Sequence, residues 1–538
     1  MFVSTLVTAI SVALALSGGA PTGLTARRQS EPPRVFFVSG HGWGHGVGMS
    51  QYGAQGFALH GWTYDRIVAH YFPATSLGAA PVTKVRVLLG GPRRRVTVSA
   101  KQGFALKDGA GQSYTLPAGA YTFGPGFKLK VDPAKPPKAL PGPLQFSPGV
   151  SPLSLDGRAY RGSLQVSRNG AKLQVVNVVG LERYLWGVVP SEMPRTWAPE
   201  ALKAQAVAAR SYALAHLRGG AFDLYDDTRS QVYLGIGHES PAATAAVNAT
   251  AGKVLLYRGH VADALFFSTS GGRTAAVQDV WPASAPIPYL VSVPDPYDSI
   301  SPYHDWGPYR YAARSLAKRL HVLGRLIDAE TVTTSSGRVR TVVATGSGGQ
   351  NALTGAEVRS ALGLRSTWFD IGVLALSGPG DPVVFGSRAT LTGLARGADG
   401  VKLQARPYGG TWRDAGPLSP RNGAVAPLVK PQISTSYRLA VGSVAGTAVR
   451  VAVAPFLRLH VPNDRTGFWG VVRPALAGTV AIQRLGQSGW TTVAKAPVDK
   501  AGKFTAQLAV QLGSYRARLA PGHGFAAGTS PLLKVGSP

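Results

Sequence analysis

The clearest helix in this chain begins near Pro199 and runs through EALKAQAVAARSYALAHL towards Gly219-Gly220, while most of the sequence around it consists of short runs broken by glycine and proline. Proline fits the first helical turn, where its missing N–H is not needed, and paired glycines fit the exit. Leu202, Ala206, Ala209, Ala213 and Leu217 form an apolar stripe whose small members call for close packing. Lys203 and Arg210, seven residues apart, share a second stripe able to face a cleft. Elsewhere, runs such as VRVLL, RRVTVSA and FKLKV between positions 82 and 131 alternate apolar and polar residues, as strands do. Asn169-Gly170 between two further alternating runs predicts a tight hairpin. The expectation is therefore an α+β domain of mostly antiparallel strands with a few helices. At 538 residues, with 67 Gly and 40 Pro, the chain is too long for one domain.

Residues Phe2 to Leu16 are apolar but too short to span a bilayer comfortably, and small and polar residues follow, so residues 1–30 read as a signal peptide or leader. No Lys or Arg precedes the run, which leaves an uncleaved N-terminal anchor as the alternative. Either way the expected location is secreted or extracellular and associated with the cell wall. The absence of cysteine excludes disulfides, a lipid-modified cysteine and thiolate metal sites. A formal charge of +30, spread through clusters such as Arg93-Arg94-Arg95 and Lys128 to Lys138, favours a polyanionic partner. No zinc-finger spacing, RNP-like run or basic helix supports specific nucleic-acid binding, whereas anionic wall polymers meet the same electrostatics. An arginine-rich composition with no specific anion remains open.

From about Gly378 the strands become glycine-punctuated and a weak repeat emerges: Trp412 corresponds to Trp490, and Tyr437-Arg438 to Tyr515-Arg516. Two all-β sandwich-like modules, 378–454 and 455–538, fit this spacing, with spacing or wall attachment as their expected job.

The densest stretch is LERYLWGVVPSEMP, Leu181 to Pro194. It places Glu192 in a turn ahead of the long helix, and the residues alone leave two roles open. Shielding by Trp186, Met193 and Trp197 would raise its pKa enough to make it a proton donor near neutrality. A position capping the helix N-terminus would lower it instead. Asp227 and Asp263 read as ordinary hydrogen-bonding residues, with an acid–base partnership as the rarer alternative.

LERYLWGVVPSEMPRTWAPEALKAQAVAARSYAL closely resembles the core signature of the stage II sporulation protein D and amidase enhancer (SpoIID/LytB) family. The likeness continues through Asp227 to Gly235, Thr250 to Leu255, Phe267 to Thr274 and Gly355 to Phe369. The resemblance implies a SpoIID-type catalytic domain over 81–373 that acts on peptidoglycan glycan strands. It also implies Glu192 as catalytic acid and base of a lytic transglycosylase cutting between N-acetylmuramic acid and N-acetylglucosamine, typically on strands stripped of peptide, to leave 1,6-anhydro ends. The family's other branch offers the alternative of a non-catalytic protein that stimulates a cell-wall amidase. Gln205, Arg210, Gln231, Ser270, Gly271 and Gly272 match family positions near the pocket and, with Lys203, are candidate substrate-binding residues. The structural alternatives are an internal ion pair for Arg210 and a tight turn for the glycines. Some relatives hold zinc through a cysteine where this chain has Ser230, so no metal and no cofactor is expected.

One feature of the family is out of order. Its closing Gly-His motif stands here near the N-terminus, as Gly40 to Ala54 (GHGWGHGVGMSQYGA), which resembles a circular permutation. Residues 31–80 are then part of the catalytic domain, and residues 35 to 77 are expected to pack against 340 to 372. His45 and Gln51 become candidates to line the glycan cleft, although His45 fits a hydrogen-bonded place inside a tight loop equally well. His41 and His45, four apart, lack an acidic third metal ligand nearby.

Overall fold

A strand in which Val35, Phe36, Phe37 and Val38 are all buried has to lie inside a sheet covered on both faces, and the computed structural model of the chain places it there. The structure describes residues 32–130, 134, 136–397 and 399–536, and the apolar leader lies outside them. The elements that matter for the site begin with β1 (Val35–His41), β2 (Met49–Ser50), α1 (Gln51–Leu59) and α2 (Tyr64–Tyr71). Next come β3 (Lys84–Leu88), β4 (Ser163–Asn169), β5 (Lys172–Gly180), α3 (Leu181–Glu192), α4 (Pro199–Ala215) and α5 (Pro241–Ala249). They are followed by β6 (Phe266–Phe267), β7 (Asp305–Ala312), α6 (Gly355–Leu362), β8 (Phe369–Ser377) and β9 (Thr392–Arg396).

β1 lies between two strands from far along the chain. Val35 stands opposite Ala312 of β7 on one side and Leu374 of β8 on the other, both antiparallel. The expected packing of 35 to 77 against 340 to 372 thus holds for β1, whose Gly40 pairs with Phe369. It extends into the thread that follows, where the Gly44 N–H donates to the Arg365 carbonyl at 3.1 Å, but the two helices go elsewhere. Ala54, Phe57, Ile67, Val68 and Tyr71 pack onto Ala204, Val207 and Ala208 of α4 and onto Leu255, Tyr289 and Leu290. The physical reason is that the amphipathic pair α1 and α2 needs a partner with small side chains, and α4 presents alanines on that face.

α4 is consequently buried on more than one stripe, because its other side joins the main core. That core is closed by a seven-stranded sheet containing β3, β5 and β4 side by side and by a four-stranded sheet built from Val96–Ala100, Gly119–Phe123, Leu153–Leu155 and Arg158–Tyr160. The hairpin read from Asn169-Gly170 is present, with Asn169 opposite Lys172 and Gly170 at φ 59°. Among the described residues no helix is long and apolar enough to cross a membrane.

The sheet does not stop where the first β module begins. β8 pairs with β9, and Val35, Phe37, Leu374 and Leu376 share one core with Leu391, Leu439 and Val451. The second module has a core of its own around Leu457, Phe468, Ile482, Phe504 and Tyr515.

Between β1 and β2 the chain threads a narrow slot, and its alternate glycines follow from that. Gly42, Gly44, Gly46 and Gly48 all have positive φ. At Gly48 (φ 79°) a Cβ would lie 2.1 Å from the carbonyl oxygen of Leu265, and at Gly42 it would lie 2.6 Å from that of Thr269. Gly48→Ala should therefore cost about 3 kcal/mol, since it combines backbone strain with a clash against another main chain. Urea unfolding of the variant beside the parent protein measures it.

Candidate functional site

Pro190 sits inside the last turn of α3, Ser191 returns its hydroxyl to the Gly187 carbonyl at 2.8 Å, and Met193 ends the helix as a buried residue. Glu192 is therefore the final residue of α3 and not part of a free turn before α4, and α4 is capped by Ala198 without any side-chain bond. This removes the helix-capping role that the sequence left open. The carboxyl is mostly surrounded by protein, and its Oε1 accepts one hydrogen bond, from the Val232 N–H at 3.1 Å. Burial pushes its pKa above the ordinary glutamate range, with the Val232 bond pulling the other way. The partial negative charge at a helix C-terminus acts in the same direction as burial.

Two sets of contacts fix that carboxyl in space. On one side, the amide of Gln231 receives the Tyr184 hydroxyl at 3.2 Å and donates to the Ala209 carbonyl at 3.2 Å, while Tyr233 donates to Asn177 at 3.0 Å. The Val232 N–H between them is thereby aimed at Glu192. On the other side, Gln51 donates from Nε2 to the Glu192 carbonyl at 3.0 Å, and Gln55 accepts the Ala198 N–H at 2.8 Å. One turn of α1 thus grips both ends of the link from α3 to α4, and Tyr52 packs edge-on to Trp197 between them, with ring centroids 4.7 Å apart. Tyr212 of α4 feels the charge of both Glu192 and Asp263, and burial raises its pKa. It stacks on His216, whose Nε2 lies 3.6 Å from Asp263.

The family model for the stage II sporulation protein matches residues 169–257, which include Glu192 and the whole of α4. Stage II sporulation protein D of Bacillus subtilis (strain 168) is 35% identical over 218 residues, covering 37% of this chain and 62% of that protein. The protein of the same name from Bacillus amyloliquefaciens is 35% identical over 218 residues, covering 36% and 61%. The amidase enhancer of Bacillus subtilis (strain 168) is 41% identical over 148 residues, covering 27% and 20%. Residues 169–257 thus carry a segment of the stage II sporulation protein type, and the chain is similar to both the sporulation protein D and the amidase enhancer branches of the SpoIID/LytB proteins. It spans about three fifths of the sporulation relatives and one fifth of the amidase enhancer.

Around Glu192 the structure gathers some of the SpoIID/LytB candidates and sends others inside. Gln51 and Gln231 act on Glu192 through its own backbone and through Val232. Gln205 is fully buried on α4, one turn before Ala209, and neither polar atom of its amide has a protein partner. Arg210 is also fully buried, and its guanidinium is occupied by both carboxylate oxygens of Glu182 and by the Lys253 carbonyl, so the internal ion pair is the arrangement found. Lys203 does not face a cleft with it: it pairs at 2.6 Å with Glu200, whose other oxygen takes the Tyr64 N–H at the start of α2. Asp227 is held by Arg229 at the surface.

His45 occupies the tight-loop position. Its Nδ1 accepts the Val47 N–H at 3.1 Å and its Nε2 faces the Phe266 carbonyl at 3.0 Å, which assigns the proton to Nε2. Burial lowers its pKa to about 4, so the ring is neutral in ordinary conditions, and both nitrogens are committed within the fold. Ser270, Gly271 and Gly272 serve a second acidic cluster. Asp298 accepts from the Ser270 hydroxyl at 2.8 Å and the Gly271 N–H at 2.6 Å, and lies 2.6 Å from His304 Nδ1; Gly272 donates to the Ser270 hydroxyl at 3.1 Å.

Sequence reading missed that cluster, although VPDPYDS marks it with Asp295 between two prolines, Asp298 shortly after, and no basic neighbour. Asp295 is fully buried and takes the Tyr71 hydroxyl at 2.8 Å. Burial first, then the nearby Asp298 charge, raises its pKa to about 7. Its folded pKa lies above the unfolded value, so its stabilising contribution is complete in acid and is lost as pH rises through about 7. This contribution to the melting temperature should fall from about pH 4 to about pH 7 and level off above it, and Asp295→Asn should flatten that fall and melt above the parent protein at the alkaline end. Thermal scans of both proteins across that range decide it.

Proposed function

We propose that the chain is a peptidoglycan lytic transglycosylase with Glu192 as its single acid and base. The observation that carries this reading is a fixed, shielded carboxyl with a raised pKa, bonded to one N–H and, among the described residues, paired with no cation. Such a group holds its proton long enough to donate it and accepts one back afterwards. In the first step Glu192 gives its proton to the glycosidic oxygen, the bond from C1 of N-acetylmuramic acid breaks, and N-acetylglucosamine departs as the alcohol. In the second, the carboxylate, steadied by the Val232 N–H, takes the proton of the same sugar's C6 hydroxyl while that oxygen closes onto C1. The product is a 1,6-anhydro end, no water is consumed, and no second carboxylate has to hold one.

The similarity to an amidase enhancer supports a second reading, in which the same site holds glycan without cutting it and a cell-wall amidase is the partner. Both readings place the protein outside the cell at the wall, where its excess of positive charge meets anionic polymers.

Incubating peptide-free glycan strands with the protein and with Glu192→Gln, followed by mass spectrometry of the ends, tests the choice. Anhydro ends from the parent, reduced about 10²–10⁴-fold in the variant, support the enzyme. No anhydro ends from either protein would transfer the conclusion to the enhancer reading. Gln51→Ala, which frees the Glu192 carbonyl, should lower kcat about tenfold with KM nearly unchanged, because it loosens the placement of the acid and removes no substrate contact.

A further inference from the structure

The two β modules carry the same surface assembly twice. The first contains β10 (Lys402–Pro407), β11 (Arg413–Pro417), β12 (Thr435–Val441) and β13 (Val449–Val451), and the second β14 (Thr479–Gly486), β15 (Gly489–Pro497), β16 (Gly513–Leu519) and β17 (Leu533–Val535). In the first, Arg438 stands across from Gln404, donates to its Oε1 at 2.9 Å and lies 4.1 Å over the ring of Trp412. In the second, Arg516 stands across from Gln483, donates to its Oε1 at 2.8 Å and lies 4.1 Å over the ring of Trp490. The residues flanking each arginine on its own strand, Tyr437 with Leu439 and Tyr515 with Ala517, are buried, so both triads lie on the outward face of their sheet.

The positions around each triad keep positive charge even where the residues have changed. Ser436 pairs with Arg450 and Ser514 with Lys534, which is the same register place with arginine replaced by lysine. One step along, Lys402 pairs with Ala440 in the first module, whereas Ala481 pairs with Arg518 in the second. The cation has crossed to the neighbouring strand while staying on the same spot of the surface. Arg406 adds a further exposed cation to the first face, and Lys495, opposite Ala481, one to the second. Asp414, bonded to Lys402 and Gln404, is the acid on the first face. Residues 455–538 contain just two acids, Asp464 and Asp499, and both bind backbone N–H groups of their own turns. A fold needs the Gln–Arg–Trp stack to cover its sheet. It does not need a lysine or arginine kept at the same exposed place by different strands, and four like charges on one small face repel one another.

We propose that these two faces are a tandem binding site for a linear phosphodiester-linked wall polymer, which they grip by charge at two points along one strand. The two faces act as linked modules, so binding exceeds what either achieves alone. The inference rests on the wall-directed reading only for the choice of polymer and does not involve Glu192.

The test measures binding of the full protein to polyglycerol phosphate, with double-stranded DNA and uncharged peptide-free glycan as parallel probes. The variants are Lys402→Gln/Arg406→Gln/Arg450→Gln, Lys495→Gln/Arg518→Gln/Lys534→Gln, and all six together; each keeps Gln404, Arg438 and Trp412 and their counterparts, the first removes the Arg406 guanidinium that lies 4.9 Å over the Trp412 ring, and circular dichroism with a melting curve checks the fold. The expected result is salt-sensitive polyglycerol phosphate binding that falls at least tenfold in either triple variant and disappears in the sixfold one. Cleavage of short uncharged glycan should stay at the parent level in the sixfold variant, and polymer binding should be unchanged in Glu192→Gln, so a failure here is separable from a failure of the catalytic reading. Unaltered polymer binding in the folded sixfold variant would overturn the proposal, and so would tighter binding to DNA than to polyglycerol phosphate at equal salt.

Discussion

The double pairing of β1 is the constraint on which the rest of the structure depends. A strand hydrogen-bonded on both sides, to β7 and to β8, has no freedom of register, because a slip of one residue would turn Phe36 and Val38 away from one core and Phe37 away from the other. With β1 fixed, the glycine-lined thread that follows has one course past Leu265 and Thr269, and β2 arrives beside β6. α1 then starts where Gln51 and Gln55 reach the two ends of the link between α3 and α4. The position of Glu192 is in this sense set from the opposite end of the chain.

Much of this was legible in the sequence, and the reasons are local. The start of α4, the hairpin at Asn169-Gly170 and the repeat linking Trp412 to Trp490 all rest on patterns within a few residues or on a matched pair of them, whereas α4 ends at Ala215, before the Leu217 assigned to its stripe. The displaced Gly-His motif was legible because its glycines alternate, and the structure gives the physical cause in the closeness of other main chains. Non-local facts were not legible. Nothing near Arg210 in sequence says that Glu182, 28 residues away, will absorb its charge, or that Lys203 will serve the start of α2 through Glu200. The placement of Glu192 at the end of α3 was hidden by Pro190, which reads as a helix breaker and is tolerated here in the closing turn. The join between the domain that holds Glu192 and the first β module was equally hidden, since β8 belongs to both.

The two acidic places in the domain differ in what surrounds them. Glu192 keeps some access to solvent and has a single bond from a backbone N–H, an arrangement suited to a group that exchanges a proton. Asp295 is sealed beneath Tyr71 beside Asp298, where a proton is retained to spare the interior a second negative charge. The first acid stays within reach of solvent; the second joins the N-terminal helices to the loops around Ser270.

The place of β1 in the chain also has a consequence for biosynthesis. β1 is made early, yet the strands it pairs with end at Ala312 and Ser377. A nascent chain must therefore carry four consecutive buried-type residues, Val35 to Val38, without the first partner strand until β7 has been made and without the second until β8 has followed. Contacts of such long sequence separation close slowly. The N-terminal clasp waits for its lock, and the Glu192 site is not assembled until nearly the whole domain has left the ribosome.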